Sequence, residues 1–442
     1  MRRIVVLLLL FACVGLVLPL GGAQPGARTL LTFGFLILAA HTTGALAASV
    51  RLPRVVGYLG AGVLFGPSVL DVVTADSASA LAPVSSLAIA LIAFLAGAEL
   101  RWAEVRERGR AISRILCVEL SLSFVLLAGL LFATRRWIPF LQGESAVAAI
   151  GFCVLFAAVA VVHSPAVTMA LLTETRARGP VARTTLGVVL VSDVVVILLF
   201  SAALAVARAL VPPSGADAAA LTLGGVVWEL AGAVLVGAVL GAAIAAYLRF
   251  VRRELVLFVV LIAFFGVEIA RLVHVEALLM LLVAGFVTEN VSRPVDGAEI
   301  RHAVERSGGP VFTVFFALAG AGLALSDLAA VWPIVLPLVL VRAFAIWAGT
   351  AVGARWAGVP RETARHVWMG LVSQAGVAIG LAAVIAEVYP SRGAALRALF
   401  LATLAVNQLV GPILFRLALV RSGEVGADAP ESAAPETAHA AG

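Results

Sequence analysis

Charge is what this chain has least of: only 13% of its 442 residues are charged, against 62% apolar. That balance excludes a soluble globular domain and reads as an all-α polytopic membrane protein. Lysine is missing altogether. All 31 basic residues are arginine, a side chain that does not shed its proton in practice. Cysteine is nearly missing too. Cys13, Cys117 and Cys153 sit in apolar stretches without a CxxC pairing, which points to small buried side chains rather than a metal centre or a disulfide. A net charge of +6 would suggest nucleic acid in a soluble protein. Here the arginines lie mostly in short loops between apolar runs, so nucleic acid is discarded as a partner.

What the chain does have is long apolar runs. They fall at about 29–50, 55–71, 81–99, 113–133, 145–172, 183–210, 219–249, 254–272, 275–291, 308–325, 332–356, 368–388 and 395–420. That makes about thirteen transmembrane helices, most near or above the ~20 residues a bilayer requires. Ahead of them, Met1, Arg2 and Arg3 lead into the apolar run Ile4–Leu20 and the small residues Gly21, Gly22 and Ala23. Residues 1–28 are therefore either a cleaved signal peptide or a fourteenth, N-terminal helix. The loops 51–54, 101–114, 173–183, 249–253, 293–306 and 355–365 are arginine-rich and alternate with arginine-poor ones. The rich set should be cytoplasmic, which puts the C-terminus inside a cell (inner) membrane that the chain crosses many times. Residues 422–442 carry Glu424, Asp428, Glu431 and Glu436 among Ala and Pro, and read as a disordered acidic tail.

The most informative stretch is Leu186–Phe200, where Asp193 is the only charge. A carboxylate at membrane depth costs a few kcal/mol on insertion scales and is rarely kept unless it faces a cavity and binds something. The alternative is a protonated acid hydrogen-bonded to a neighbouring helix. Two of the runs are also interrupted. Ser145–Glu174 is broken by Val162, His163, Ser164 and Pro165, the last without an amide hydrogen. Val367–Val388 is broken by Ser373, Gln374, Ala375 and Gly376. The breaks are about 210 residues apart, each in the penultimate span of a six-span half, with 219–249 as linker between halves. Paired interruptions at matching positions point to an inverted-repeat transporter with its site between them. Arg342, near the middle of 332–356, must meet an anion or helix-end carbonyls unless it snorkels. Glu119 is the acid expected to pair with it, and Asp193 is the other option. Glu268 and Glu276 near an outer loop, and Glu99 and Glu289 near cytoplasmic ends, read as solvated or funnel-lining acids.

From about residue 29 to 420 the chain resembles the monovalent cation:proton antiporter superfamily, in its sodium/proton exchanger domain. Leu52–Pro67 is similar to that family's early helix and Phe94–Glu99 to its next signature. The run from Ser164 and Pro165 resembles the unwound first crossover helix, and Gly370–Gly380 the second. Ser192 and Asp193 fall on the family's paired ion-binding position, although serine is in none of its usual pairs. Arg342 falls on its basic residue, while the glutamate that often pairs with that residue is Val188 here. The resemblance implies two crossed discontinuous helices. It also implies a core bundle (about 113–210 and 332–420) moving against a dimerisation bundle (about 29–99 and 254–325), hence a homodimer.

One acid that takes either a proton or a cation, never both, gives obligatory exchange. The expected function is therefore antiport of Na+ or K+ against H+ by alternating access, with transient cation binding at Asp193 helped by Ser192, Ser164 and His163. If only Asp193 titrates and Arg342 stays charged, exchange is electroneutral. No enzymatic activity and no cofactor are expected. The main alternative is a sodium-coupled symporter of an organic anion on a related crossover fold.

Overall fold

A computed structural model describes residues 25–426, except 99, 101, 212–222, 252, 324 and 375–376. The N-terminal run 1–24, Glu99, Gly376 and the tail from 427 therefore lie outside the described residues. Sixteen α-helices and two short 3-10 turns follow in order among the rest, with no strand. They are α1 (Pro25–Ser49), α2 (Arg54–Phe65), α3 (Ala75–Ala80), α4 (Ala82–Ala98), α5 (Trp102–Ala133), α6 (Ala146–Ala160), α7 (Pro165–Thr175) and α8 (Pro180–Leu210). The second half holds α9 (Leu223–Phe250), α10 (Leu255–Val273), α11 (Ala277–Val291), α12 (Pro294–Ala321), α13 (Leu325–Ala357), α14 (Arg361–Gly370), α15 (Val377–Val388) and α16 (Pro390–Arg421). Seven helical stretches among the described residues are long and apolar enough to cross a bilayer, and four shorter helices are apolar. Several helices outrun the apolar stretches that announced them. α5 begins at Trp102 and α12 at Pro294, because a charged turn outside the hydrocarbon completes its own backbone hydrogen bonds and need not end the helix.

The helices wear their polarity inside out relative to a soluble protein. On α13 the exposed residues Leu336, Leu340, Phe344 and Trp347 recur every three or four positions, one face of a helix. The same helix turns Val335, Leu338, Arg342 and Ile346 inward. Inside, one buried apolar cluster joins α5, α6, α8 and α13–α16 around Phe152, Phe156 and Phe400. Another joins α2, α4 and α9–α12 around Leu59, Leu91 and Phe316. Helix α8 serves both: Val188 and Val189 face the first, Leu186 and Leu190 the second. Asp193 therefore rides on an element that packs into both clusters.

Close approach of α13 to α5 depends on two glycines. A Cβ on Gly349 would come within 2.6 Å of the Glu119 Cα, and one on Gly353 within 2.6 Å of the Ile115 Cα. Without a hydrophobic force between helices in lipid, small residues four apart are what allow such backbone contact. That contact brings the helix of Arg342 beside the helix of Glu119.

Both broken runs are divided. α6 stops at Ala160 and α7 starts at Pro165, with Ser164 extended at φ −116°, ψ 103° and its hydroxyl oxygen accepting the Val167 amide at 3.2 Å. Ser164 is thus an N-cap and Pro165 a first-turn proline, the arrangement that starts a helix rather than continues one. α14 stops at Gly370 and α15 starts at Val377.

Candidate functional site

Each break strands backbone carbonyls at membrane depth, where an unpaired one is costly. Arg342, 2% exposed, satisfies several. Its Nε donates to the Ala160 carbonyl at 2.7 Å, one terminal nitrogen to Val162 at 2.9 Å and the other to Val372 at 2.7 Å. A single guanidinium thus ties the end of α6 to the second break, and its fixed fork is what allows three directions at once. Gln374 adds a further tie: its amide nitrogen donates to the Ala160 carbonyl at 2.7 Å, and its oxygen accepts from Asn407 on α16 at 2.8 Å.

A second polar chain runs alongside. His163 Nδ1 lies 2.7 Å from the Leu371 carbonyl and Nε2 lies 3.1 Å from Glu119, whose other oxygen accepts the Ser123 hydroxyl at 2.8 Å. All of these side chains are fully buried. A carbonyl can only accept, so Nδ1 carries a hydrogen, and Nε2 and the Glu119 carboxyl share one more proton between them. The expected Arg342–Glu119 pair is therefore not a direct one. The Arg342 donors go instead to the backbone carbonyls at the two breaks. His163, expected beside the cation, has both ring nitrogens engaged elsewhere and presents no free lone pair.

Asp193 differs from all of these. It is 4% exposed, and neither carboxylate oxygen has a hydrogen-bond partner among the described residues. Its neighbour Ser192 is fully buried and donates its hydroxyl back to the Val189 carbonyl at 2.7 Å, leaving only oxygen lone pairs to offer. One turn before Asp193, Leu190 lines a cavity of about 250 Å³. Ser164 and Pro165 at the first break line it too, facing Ser86 on α4 and Glu276 at the start of α11. The Glu276 carboxylate caps α11 by accepting the amides of Leu278 and Leu279. Of the second break, Ser373 and Gln374 are buried, the Ser373 hydroxyl without a partner among the described residues. No group of three or more potential metal-ligating side chains occurs among the described residues.

The sequence reading had no means to assign Ser123, Asn407 or the carbonyls of Leu371 and Val372. Ser123 could have been suspected from its place one turn after Glu119. Backbone acceptors carry no signature at all. Chemically, the arrangement offers an acid without a hydrogen-bond partner among the described residues, one helical turn from a cavity-lining residue, with most polar groups of the two breaks engaged in hydrogen bonds.

The transmembrane sodium/hydrogen exchanger family matches residues 35–420 of the chain. No curated protein matches it. Two solved structures of the sodium proton antiporter MjNhaP1 from Methanocaldococcus jannaschii share the fold. The one determined at pH 8 has a TM-score of 0.66 and covers 89% of this chain and 96% of that one. The one from an electron-microscopy map has a TM-score of 0.71, covering 90% and 98%. Identity is 15% in both. The match over most of its length makes this chain a multi-pass membrane protein of the sodium/hydrogen exchanger family.

Proposed function

We propose that the protein exchanges a monovalent cation, Na+ or K+, for H+ by alternating access, and that both compete for Asp193. The observation that carries this reading is the orphaned carboxylate. A buried acid with no partner for either oxygen is uncommon, and a proton or a cation supplies what the protein withholds. Occupancy by one excludes the other, so the site crosses the membrane loaded with either. Ser192 and Ser164 offer hydroxyl oxygens near the same place, in keeping with a site that replaces part of a cation's water. His163 enters the proposal as a strut between the breaks rather than as a ligand.

In this reading α6–α7 and α14–α15 are the two discontinuous helices, crossing where Arg342 gathers their carbonyls, as inverted repeats of about thirteen spans would place them. The bundle of 113–210 and 332–420 moves against that of 29–99 and 254–325, the latter pairing two copies into a homodimer. The apolar cluster shared by α5, α6, α8 and α13–α16 supports a coherent moving body. The arginine-rich loops and the C-terminus face the cytoplasm, by the loop asymmetry. Arg342 keeps its charge throughout, so one cation replaces one proton and the cycle is electroneutral.

Sodium-coupled uptake of an organic anion is not favoured. Its carboxylate would call on Arg342, whose three kinds of nitrogen already bind backbone carbonyls. The deciding experiment is reconstitution. Addition of Na+, K+ or Li+ outside proteoliposomes should release a preset pH gradient with the wild-type chain and not with Asp193→Asn. A fully active Asp193→Asn protein would remove the acid from its role.

A further inference from the structure

One buried acid takes no part in the exchange described above. Glu424 lies just past the end of α16 and is 6% exposed, while Gly423 and Val425 on either side of it are at the surface. Its carboxylate accepts the backbone amides of Val181 at 2.7 Å and Ala182 at 2.8 Å. Those residues form the first turn of α8, the helix that carries Asp193. Two backbone bonds reinforce the contact: the Arg178 amide donates to the Glu424 carbonyl, and the Gly426 amide to the Thr175 carbonyl, both at 3.1 Å. The start of the acidic tail, expected to be disordered over 422–442, is therefore docked as far as Gly426.

The position of the carboxylate is that of a missing side chain. Gly179 is the N-cap residue of α8 and has nothing to cap with, and Pro180 follows as the first helical residue. A helix's own cap would bond the second and third amides, which here are Val181 and Ala182. Negative charge at that end is also favoured by the helix dipole. The space a Gly179 side chain would need is filled, because a Cβ there would overlap the Glu424 carboxyl. We propose that Glu424 is a positioning residue for transport: it is the N-cap of the Asp193 helix, supplied from the far end of the chain, and it sets where that helix begins. The inference rests on the reading of Asp193 as the ion carrier.

The test uses the full-length protein in proteoliposomes, with turnover and apparent cation affinity measured separately. Glu424→Ala should lower turnover roughly tenfold, a loss within the range of helix-cap energies, with apparent affinity unchanged because the ion site is untouched. Gly179→Asp in the otherwise native chain should also lower turnover, since its side chain collides with Glu424. The double variant Glu424→Ala/Gly179→Asp places a local cap in the vacated space and should recover most of the loss. Glu424→Gln keeps the volume and one acceptor oxygen, so it should fold and fall between the native chain and Glu424→Ala. Native turnover in Glu424→Ala, or a double variant no better than the two single ones, overturns the proposal. If Asp193→Asn is silent while Glu424→Ala is fully active, the cap fails and the carrier stands. An active Asp193→Asn sinks the carrier reading whatever Glu424 does.

Discussion

A buried carboxylate and a buried guanidinium lie in the same bundle without touching, and their different company explains their different roles. Arg342 has backbone acceptors in three directions, whereas Asp193 has no donor among the described residues. Replacing Arg342 by Met should strand the carbonyls of Val162 and Val372, at about 1–3 kcal/mol for each group left unsatisfied, while Gln374 still donates to Ala160. Thermal unfolding in detergent should show a clear drop, and Arg342→Lys should restore only part of it, since one ammonium cannot reproduce the fork. Asp193→Asn should leave that unfolding temperature near the native value, because no bond is lost with the charge, while abolishing cation-driven pH change. At Glu119 the prediction turns on the shared proton. Glu119→Gln can still donate to the His163 ring and should keep a folded, transporting protein. Glu119→Leu leaves the ring nitrogen facing an apolar side chain and should lower both stability and exchange. Equal losses from Gln and Leu would mean that the charge, not the hydrogen bond, is what counts there.

Among the elements, the interrupted helices and the glycine seam do most to bring these residues together. Pro165 and its neighbours were legible as an interruption because a missing amide and two polar side chains stand out in an apolar run. The division at Ser373 and Gln374 was legible for a similar reason. What each break would bind was not legible, since His163 meets a backbone carbonyl some two hundred residues away and carbonyls look alike in every residue. The close pairing of α5 and α13 is written in Gly349 and Gly353, yet only the packed structure says that their partners are Glu119 and Ile115. Gly349→Leu should force the two helices apart, costing about 1–3 kcal/mol as overpacking does, and should disturb the Glu119–His163 contact built on that seam. A variant with native unfolding temperature and native exchange would show that the seam is not tight.

For the molecule as a whole, the prediction concerns charge movement. If, as proposed, Arg342 stays charged and one acid exchanges one proton for one cation, the rate of cation-driven pH change should not depend on an imposed membrane potential. A strong dependence, measured in vesicles clamped with potassium and valinomycin while Na+ or Li+ is the driving ion, would require a second titrating group or unequal stoichiometry. By itself, the sequence determined that the chain is helical and lives in a bilayer, roughly where many of its apolar helices lie, and where two of the apolar runs are interrupted. Those properties follow from local composition, because hydrocarbon sorts side chains by polarity and a proline or buried charge is conspicuous in it. Only the tertiary structure decided that Arg342 binds carbonyls instead of Glu119, that His163 meets the Leu371 carbonyl and Glu119, and that Glu424 accepts the first amides of α8. Each of these is a contact between residues far apart in the chain, and the partner in such a contact is chosen by which helices the packing brings within hydrogen-bond reach.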